Sequence, residues 1–231
     1  MATYDLPAAM RPQLASFGLQ KAGVQFRSPF NGSLQAASFV AERWQVSATG
    51  VPQSLRDAGA VEAFLNLMAG GVNYVRMGHP ARPVPYGTLR GSPILNGGAT
   101  RGASSLTLAN CTPGATLLTG DMIGVATGTQ LFQVAADCTA NGGGLMTVPL
   151  VNRVRATCEA GTAVTWDRPT ALFVCESMRN DVTFQQMHMA GAVIDFIEAW
   201  NPIDEAVITP GGEILLGADY ILFGADYLVF S

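Results

Sequence analysis

Charged residues are scarce in this sequence. Asp, Glu, Lys and Arg make up only 13% of its 231 residues, about half the usual share, and Lys21 is the one lysine. The 13 basic residues are scattered along the chain, which argues against a basic face that binds nucleic acid. With 48% hydrophobic residues and so few charges, the chain is expected to hide much of its surface against partners.

Long apolar runs are also missing. No run approaches the roughly 18 apolar residues that span a bilayer, and the first residues, MATYDLPAAMRPQ, lack the basic patch and apolar block of a secretion signal. We therefore expect a protein that has no membrane anchor and is made in a cytoplasm.

Side chains suited to catalysis or metal binding are few. The sequence has two histidines, His79 and His188, and lacks the GxSxG and GK[ST] signatures of hydrolases and phosphate-binding loops. The four cysteines are too far apart for a CxxC ligand pair: Cys111, Cys138, Cys158 and Cys175. We predict a protein that is not an enzyme, with no catalytic, cofactor-binding or metal site, and cysteines that act as small buried hydrophobic residues.

The spacing of apolar residues predicts a mainly β chain with one flanking α-helix. Residues 55–69 have apolar side chains at helical spacing, a capping pair in Ser54 and Asp57, and a stop at Gly70-Gly71. Alternation of apolar and polar residues predicts strands over 33–50 and 72–78.

The middle of the chain has a different composition. Residues 79–104 are rich in proline and glycine, which predicts a linker or long surface loop. From 105 to 175, short apolar runs alternate with glycine-containing turns, which is typical of a small barrel or sandwich. Within this part, residues 118–138 predict a hairpin that turns at Ala126-Thr127-Gly128.

We predict three parts. Residues 1–94 and 169–200 form one β-sandwich, because its early strands and helix need partners that the later strands supply. Residues 95–168 form a small β domain inserted into it. Residues 201–231 follow the break at Pro202 and form a C-terminal β arm.

The arm contains a near-duplication, ILLGADY followed by ILFGADY. It predicts either three short strands joined by Gly-Ala-Asp turns or one extended strand. Neither form buries its own apolar side chains, so we expect the arm to dock on its own domain, a neighbouring copy or another partner. The candidate assembly residues are its large apolar side chains: Ile214, Leu216, Tyr220, Leu222, Phe223, Tyr227, Val229 and Phe230.

The order of these elements resembles a known family. The run FNGSLQAASFVAERWQVSATGVP, the helix SLRDAGAVEAFLNLMAGG, the strand VNYVRMG and the phrases LTGDMIGVATG and GTAVTWDRPTALFVC are similar to those of distal tail proteins of bacteriophages with long, non-contractile tails. The likeness covers roughly residues 25–200, and the arm has no counterpart in it.

This resemblance implies a tail-tube-like β-sandwich and a structural role in the virion. It implies a homohexameric ring at the tail tip, within the baseplate region, that joins the tail tube protein to the hub and lets the genome pass. The inserted domain would decorate the ring and contact tail fibres. Another tail component, such as a tube subunit or hub protein, is an alternative. A carbohydrate-binding β domain is a further one, with Trp44, Trp166 and Trp200 as stacking residues.

Overall fold

The structure is a computed structural model that describes residues 2–7, 12–50, 53–125, 129–180, 182–185 and 188–199, with two further short strands at 213–214 and 221–222. Residues Met1–Asn201 form one compact unit and Pro202–Ser231 form a second. Among the described residues no helix is both long and apolar enough to cross a membrane.

The first unit is mainly β with one α-helix, as predicted. The helix α1 spans Leu55–Met68 and a 3-10 turn follows at Ala69–Gly71. The strands, in chain order, are β1 (Thr3–Asp5), β2 (Pro12–Gln20), β3 (Gly23–Arg27), β4 (Leu34–Ser38), β5 (Arg43–Gly50), β6 (Gln53–Ser54), β7 (Tyr74–Gly78), β8 (Ile94–Leu95), β9 (Ser105–Ala109), β10 (Thr116–Leu117), β11 (Met122–Val125), β12 (Gln130–Gln133), β13 (Cys138–Thr139), β14 (Met146–Pro149), β15 (Val164–Thr165), β16 (Thr170–Cys175), β17 (Val182–Gln185) and β18 (His188–Glu198).

The main sheet has the strand order β1-β7-β16-β18-β5-β2, and β6 and β17 also pair with β18. Strands that follow residue 168 therefore lie in one sheet with strands that precede residue 94. The separation of residues 95–168 as an inserted domain stays a prediction.

Helix α1 forms where the sequence predicts it. Its N-terminal cap is Ser54, whose Oγ accepts a hydrogen bond from the backbone N–H of Asp57 at 3.3 Å. The 3-10 turn that follows it contains Gly70, whose φ of 76° is a left-handed conformation that glycine adopts without strain. The buried face of the helix lies against the sheet and consists of Ala58, Val61, Phe64, Leu65 and Met68.

A second core lies in the middle of the chain. Its buried residues run from Leu89 to Val164, and the strands among them belong to three small sheets, ordered β8-β9-β14, β12-β11-β15 and β10-β13. The predicted hairpin is confirmed in its strands, because β11 pairs antiparallel with β12. Its turn, residues 126–128, lies outside the described residues.

The prediction that residues 79–104 form a linker or surface loop is wrong in part. Leu89 and Leu95 are fully buried in the second core. The buried carboxylate of Asp121 accepts hydrogen bonds from the backbone N–H groups of Tyr86 and Gly87, at 2.8 and 3.1 Å. The carboxylate thus accepts hydrogen bonds from backbone N–H groups that have no partner in a helix or strand.

The prediction of a single strand over 33–50 is wrong. The segment forms two strands, β4 and β5, which pair with different partners. Between them the chain bends, and the carboxylate of Glu42 accepts a hydrogen bond from the N–H of Arg153 at 2.7 Å. The strand predicted over 72–78 begins at Tyr74.

Buried polar contacts join the middle of the chain to the main sheet. The Nε1–H of Trp44 donates to the carbonyl of Leu131 at 2.9 Å. The carboxylate of Glu198, fully buried, accepts from the N–H of Trp44 at 3.0 Å and from the guanidinium of Arg155. Burial raises the pKa of Glu198, and its contacts with Arg155 and Trp44 act in the opposite direction.

We expect Arg155→Ala to lower the free energy of unfolding by about 3–5 kcal/mol, because it leaves the Glu198 carboxylate buried without its charged partner. The double variant Arg155→Met with Glu198→Met should lose less than the single one, since both charges are removed together. Urea denaturation of the three proteins checks this. A loss below about 1 kcal/mol for Arg155→Ala would contradict the role of this pair.

Candidate assembly surface

The described side chains that are suited to catalysis or metal binding do not form a cluster. Within the described ranges, no group of three or more His, Cys, Asp and Glu side chains is arranged to hold a metal ion. His79 is half-buried, with its ring 4.7 Å from that of Phe17, and His188 lies in β18. All four cysteines are free, and all but Cys138 are buried.

Two of the three tryptophans that were considered for sugar stacking are engaged in protein contacts. Trp44 is buried in the core beneath the main sheet. Trp166 donates from Nε1 to the carbonyl of Gly91 at 2.8 Å, and the guanidinium of Arg90 lies 4.9 Å from its ring centre. Trp200 lies outside the described residues. The first two therefore give no open stacking platform.

The arm is described only at two short strands, β19 (Glu213–Ile214) and β20 (Ile221–Leu222). They pair antiparallel, with Ile214 opposite Ile221, which excludes one continuous extended strand over 213–222. Ile214 and Leu222 lie in these strands. The other six candidate residues lie outside the described residues: Leu216, Tyr220, Phe223, Tyr227, Val229 and Phe230.

An exposed apolar feature among the described residues of the first unit is the two-stranded sheet formed by β3 and β4, which we call the ribbon. Every residue of both strands is exposed. Large apolar side chains on the ribbon and beside it are open to solvent: Val24 (60%), Phe26 (63%), Phe30 (98%), Leu34 (60%) and Phe39 (55%). A two-stranded ribbon with no covered face is marginal in water, so this one is suited to be covered by a partner.

The two faces of the ribbon differ. Val24 pairs with Ala37 and Phe26 with Gln35, and directly paired residues share a face. This face is mainly apolar. The other face carries Gln25 and Arg27 beside Ala36 and Leu34, and it is mixed. The face with Val24 and Phe26 therefore favours a contact that excludes water.

The ribbon is closed at its tip by a tight turn. The N–H of Ser28 donates to the carbonyl of Ser33 at 2.9 Å, and the side chain of Asn31 accepts from the N–H of Ser33 at 3.0 Å. Gly32 has a φ of 70°, which this turn requires and which glycine adopts freely.

The base of the ribbon is held by Arg153. Its guanidinium donates to the carbonyl of Phe39 at 3.0 Å and to the Oγ of Ser38 at 3.1 Å. Arg153 also lies 3.9 Å from the carboxylate of Glu42. These contacts fix the direction in which the ribbon leaves the unit.

Strand β2 leads into the ribbon and is an edge of the main sheet. It pairs with β5 on one side and, among the described residues, with no strand on the other. Its sequence, PQLASFGLQ, has no charged residue. Natural edge strands are commonly protected by lysine or other charges, so a nine-residue uncharged edge is open to pairing with another chain.

The sheet face that points away from α1 is polar near this edge. Ser16, Ser47 and Asp195 are paired across β2, β5 and β18, and their neighbours on these strands point to the core. An exposed carboxylate and hydroxyls on this face suit contact with water.

Strands β2 and β3 were missed in the sequence analysis. The sequence contains two signals for them: in β2 the apolar Ala15, Phe17 and Leu19 alternate with small or polar residues, and Asn31-Gly32 is a hairpin-turn pair between apolar runs. The exposure of both ribbon faces has no sequence signal, because it depends on what the rest of the chain leaves uncovered.

The sequence matches no protein-family model and no curated protein.

We expect Arg153→Ala to make the ribbon easier to cleave. Loss of the guanidinium contacts to Ser38 and Phe39 frees the base of the ribbon, so trypsin should cut after Arg27 several-fold faster, because local opening governs proteolysis. Arg56→Ala, on the exposed side of α1, is the matched control and should leave this rate unchanged. Equal cleavage in both variants would show that Arg153 does not hold the ribbon.

His79 should make stability depend on pH. Burial and the nearby charge of Arg82 lower its pKa, and its Nδ1 accepts a hydrogen bond from the N–H of Ala81 at 3.2 Å. The unfolded chain therefore takes up a proton at this residue before the folded protein does. Stability should fall as pH drops below about 6.5.

The His79→Gln variant should lose part of this fall in stability, measured by thermal unfolding between about pH 7 and pH 5. Parallel curves for the two proteins would contradict the assignment to His79.

Proposed function

We propose that this protein is a structural subunit of a bacteriophage tail tip, a distal tail protein that forms a ring between the tail tube and the hub. The observation that carries the proposal is the uncharged outer edge of β2, which pairs with no strand in the part of the chain that the structure describes and leads into the exposed ribbon. It provides main-chain donors and acceptors and an apolar face side by side, which is what a neighbouring copy needs for strand addition.

A ring requires two different surfaces that meet head to tail. The main sheet ends in two different strands, β1 at one side and β2 at the other. A neighbour that continues the sheet from β2 would leave its own β2 edge for the next copy. Repetition of this contact closes a ring when the rotation between copies fits, and six copies is the number that the resemblance implies.

The polar sheet face is assigned to the channel. Ser16, Ser47 and Asp195 present hydroxyls and a carboxylate, and the chain has a formal charge of -4. A wall of this kind repels the phosphate backbone and does not hold the DNA that passes along it. In this proposal the protein binds no nucleic acid sequence and performs no catalysis.

The tail tube protein and the hub are the proposed partners above and below the ring, and tail fibres are the proposed partners of residues 95–168. The proposed location is the tail tip of the virion, after assembly in the host cytoplasm. A tube subunit is the alternative, and electron microscopy separates the two, because a tube subunit stacks into long tubes and a distal tail protein gives single rings.

We expect the full-length protein to form rings of six copies by negative-stain electron microscopy and native mass spectrometry. Ser16→Lys with Gly18→Lys should give monomers, because two ammonium groups beside the β2 edge disfavour pairing. A Cβ at position 18 would meet no atom within 4 Å, so a single copy should tolerate the change.

Met178→Lys is the matched control. Met178 is 84% exposed and lies beside Gly70 at the end of α1, so its variant adds a charge at an exposed apolar site outside the β2 edge. Rings from the control and monomers from the β2 variant support the proposal. A monomeric wild-type protein, or rings from the β2 variant, would contradict it.

A further inference from the structure

We propose that the apolar face of the ribbon is covered by residues 202–231 of a neighbouring copy. This inference rests on the proposed ring and names the segment that completes the contact between its subunits. The ribbon supplies Val24 and Phe26 on an uncovered face, and the arm supplies the apolar residues of its two GADY repeats.

Both segments are rich in apolar side chains. Val24 and Phe26 are 60% and 63% exposed. In the arm, the strands β19 and β20 are two residues each, and the sequence around them, ILLGADYILFGADYLVF, is apolar apart from two aspartates. An exposed apolar ribbon and an apolar arm stabilise each other when their side chains are removed from water together.

The charges of the two segments are complementary. Residues 202–231 contain five acidic residues and no basic one. Residues 6–41, which include β2 and the ribbon, contain Arg11, Lys21 and Arg27 and no acidic residue. Lys21 and Arg27 are exposed, so they attract Asp219 and Asp226 of the arm. Arg27 lies on the mixed face at the last residue of β3, and in this proposal its long side chain meets the arm around the edge of the ribbon. This match orients the arm and favours its approach.

The arm of a neighbour can reach the ribbon if copies join at the β2 edge. Only Lys21 and Ala22 separate β2 from β3, so a subunit that pairs with β2 lies next to the ribbon. A thirty-residue segment reaches up to about 100 Å when extended, which spans adjacent subunits. Exchange of a terminal element between identical copies is a common way to strengthen such contacts.

Photo-crosslinking of the full-length protein tests this contact. Benzoylphenylalanine replaces Phe26, and copies with this probe are assembled with an excess of isotope-labelled copies that lack it. After irradiation, mass spectrometry identifies the crosslinked peptides and their isotope content. The same probe in place of Met178 is the control for non-specific capture.

The expected result is a crosslink from position 26 to a labelled peptide within residues 202–231, and no such crosslink from position 178. A crosslink to the arm of the same, unlabelled copy would overturn the inference in favour of docking on the parent chain. So would rings in which position 26 reacts only with residues 1–201 of the neighbour. In both cases rings still form, whereas failure of the ring proposal itself would show as a monomer.

Charge reversal tests the orientation independently. Lys21→Glu with Arg27→Glu should raise the protein concentration at which rings dissociate by about tenfold, since each exposed ion pair has a modest effect on binding. Adding Asp219→Lys and Asp226→Lys to the same chain should restore the wild-type value. If the quadruple variant dissociates as readily as the double variant, the proposed pairing is wrong.

Discussion

An unpaired strand edge is the constraint on which this account depends. The outer N–H and C=O groups of β2 have no strand partner among the described residues, and no charge within β2 protects them from another chain. In a single copy these groups form hydrogen bonds with water, but the exposed apolar side chains of the ribbon are unfavourable in water. Pairing with another chain satisfies both at once, because the hydrogen bonds are kept and the apolar area is removed from solvent.

The rest of the unit holds this surface in place. The core under the main sheet includes residues of α1 and also Met122 and Leu131 of the β11–β12 hairpin. The middle of the chain is tied to β5 and β18 by the contacts of Trp44, Arg155 and Glu198. Arg153, from the same part of the chain, holds the ribbon base. The direction of the ribbon therefore depends on the packing of the middle of the chain against the main sheet.

The sequence was sufficient for elements with strong local patterns. Helix α1 has both a cap and a glycine stop, and the β11–β12 hairpin has apolar runs on both sides of a turn. The break between β4 and β5 was missed because alternation continues through it, and the bend is held by Arg153, which is 111 residues distant from Glu42. The burial of Leu89 was missed for a similar reason, since Asp121 fixes that loop from elsewhere in the chain.

The candidate surface was only partly accessible from the sequence. The low share of charged residues indicated a chain that buries surface against partners. The location of that surface depends on which strand forms the edge of the sheet and which hairpin stays exposed. Hydrogen–deuterium exchange measured at increasing protein concentration tests the central claim most directly. The account predicts that amides of residues 12–38 become protected as copies assemble, while those at 176–180 stay unchanged. Exchange in 12–38 that does not depend on concentration would contradict it.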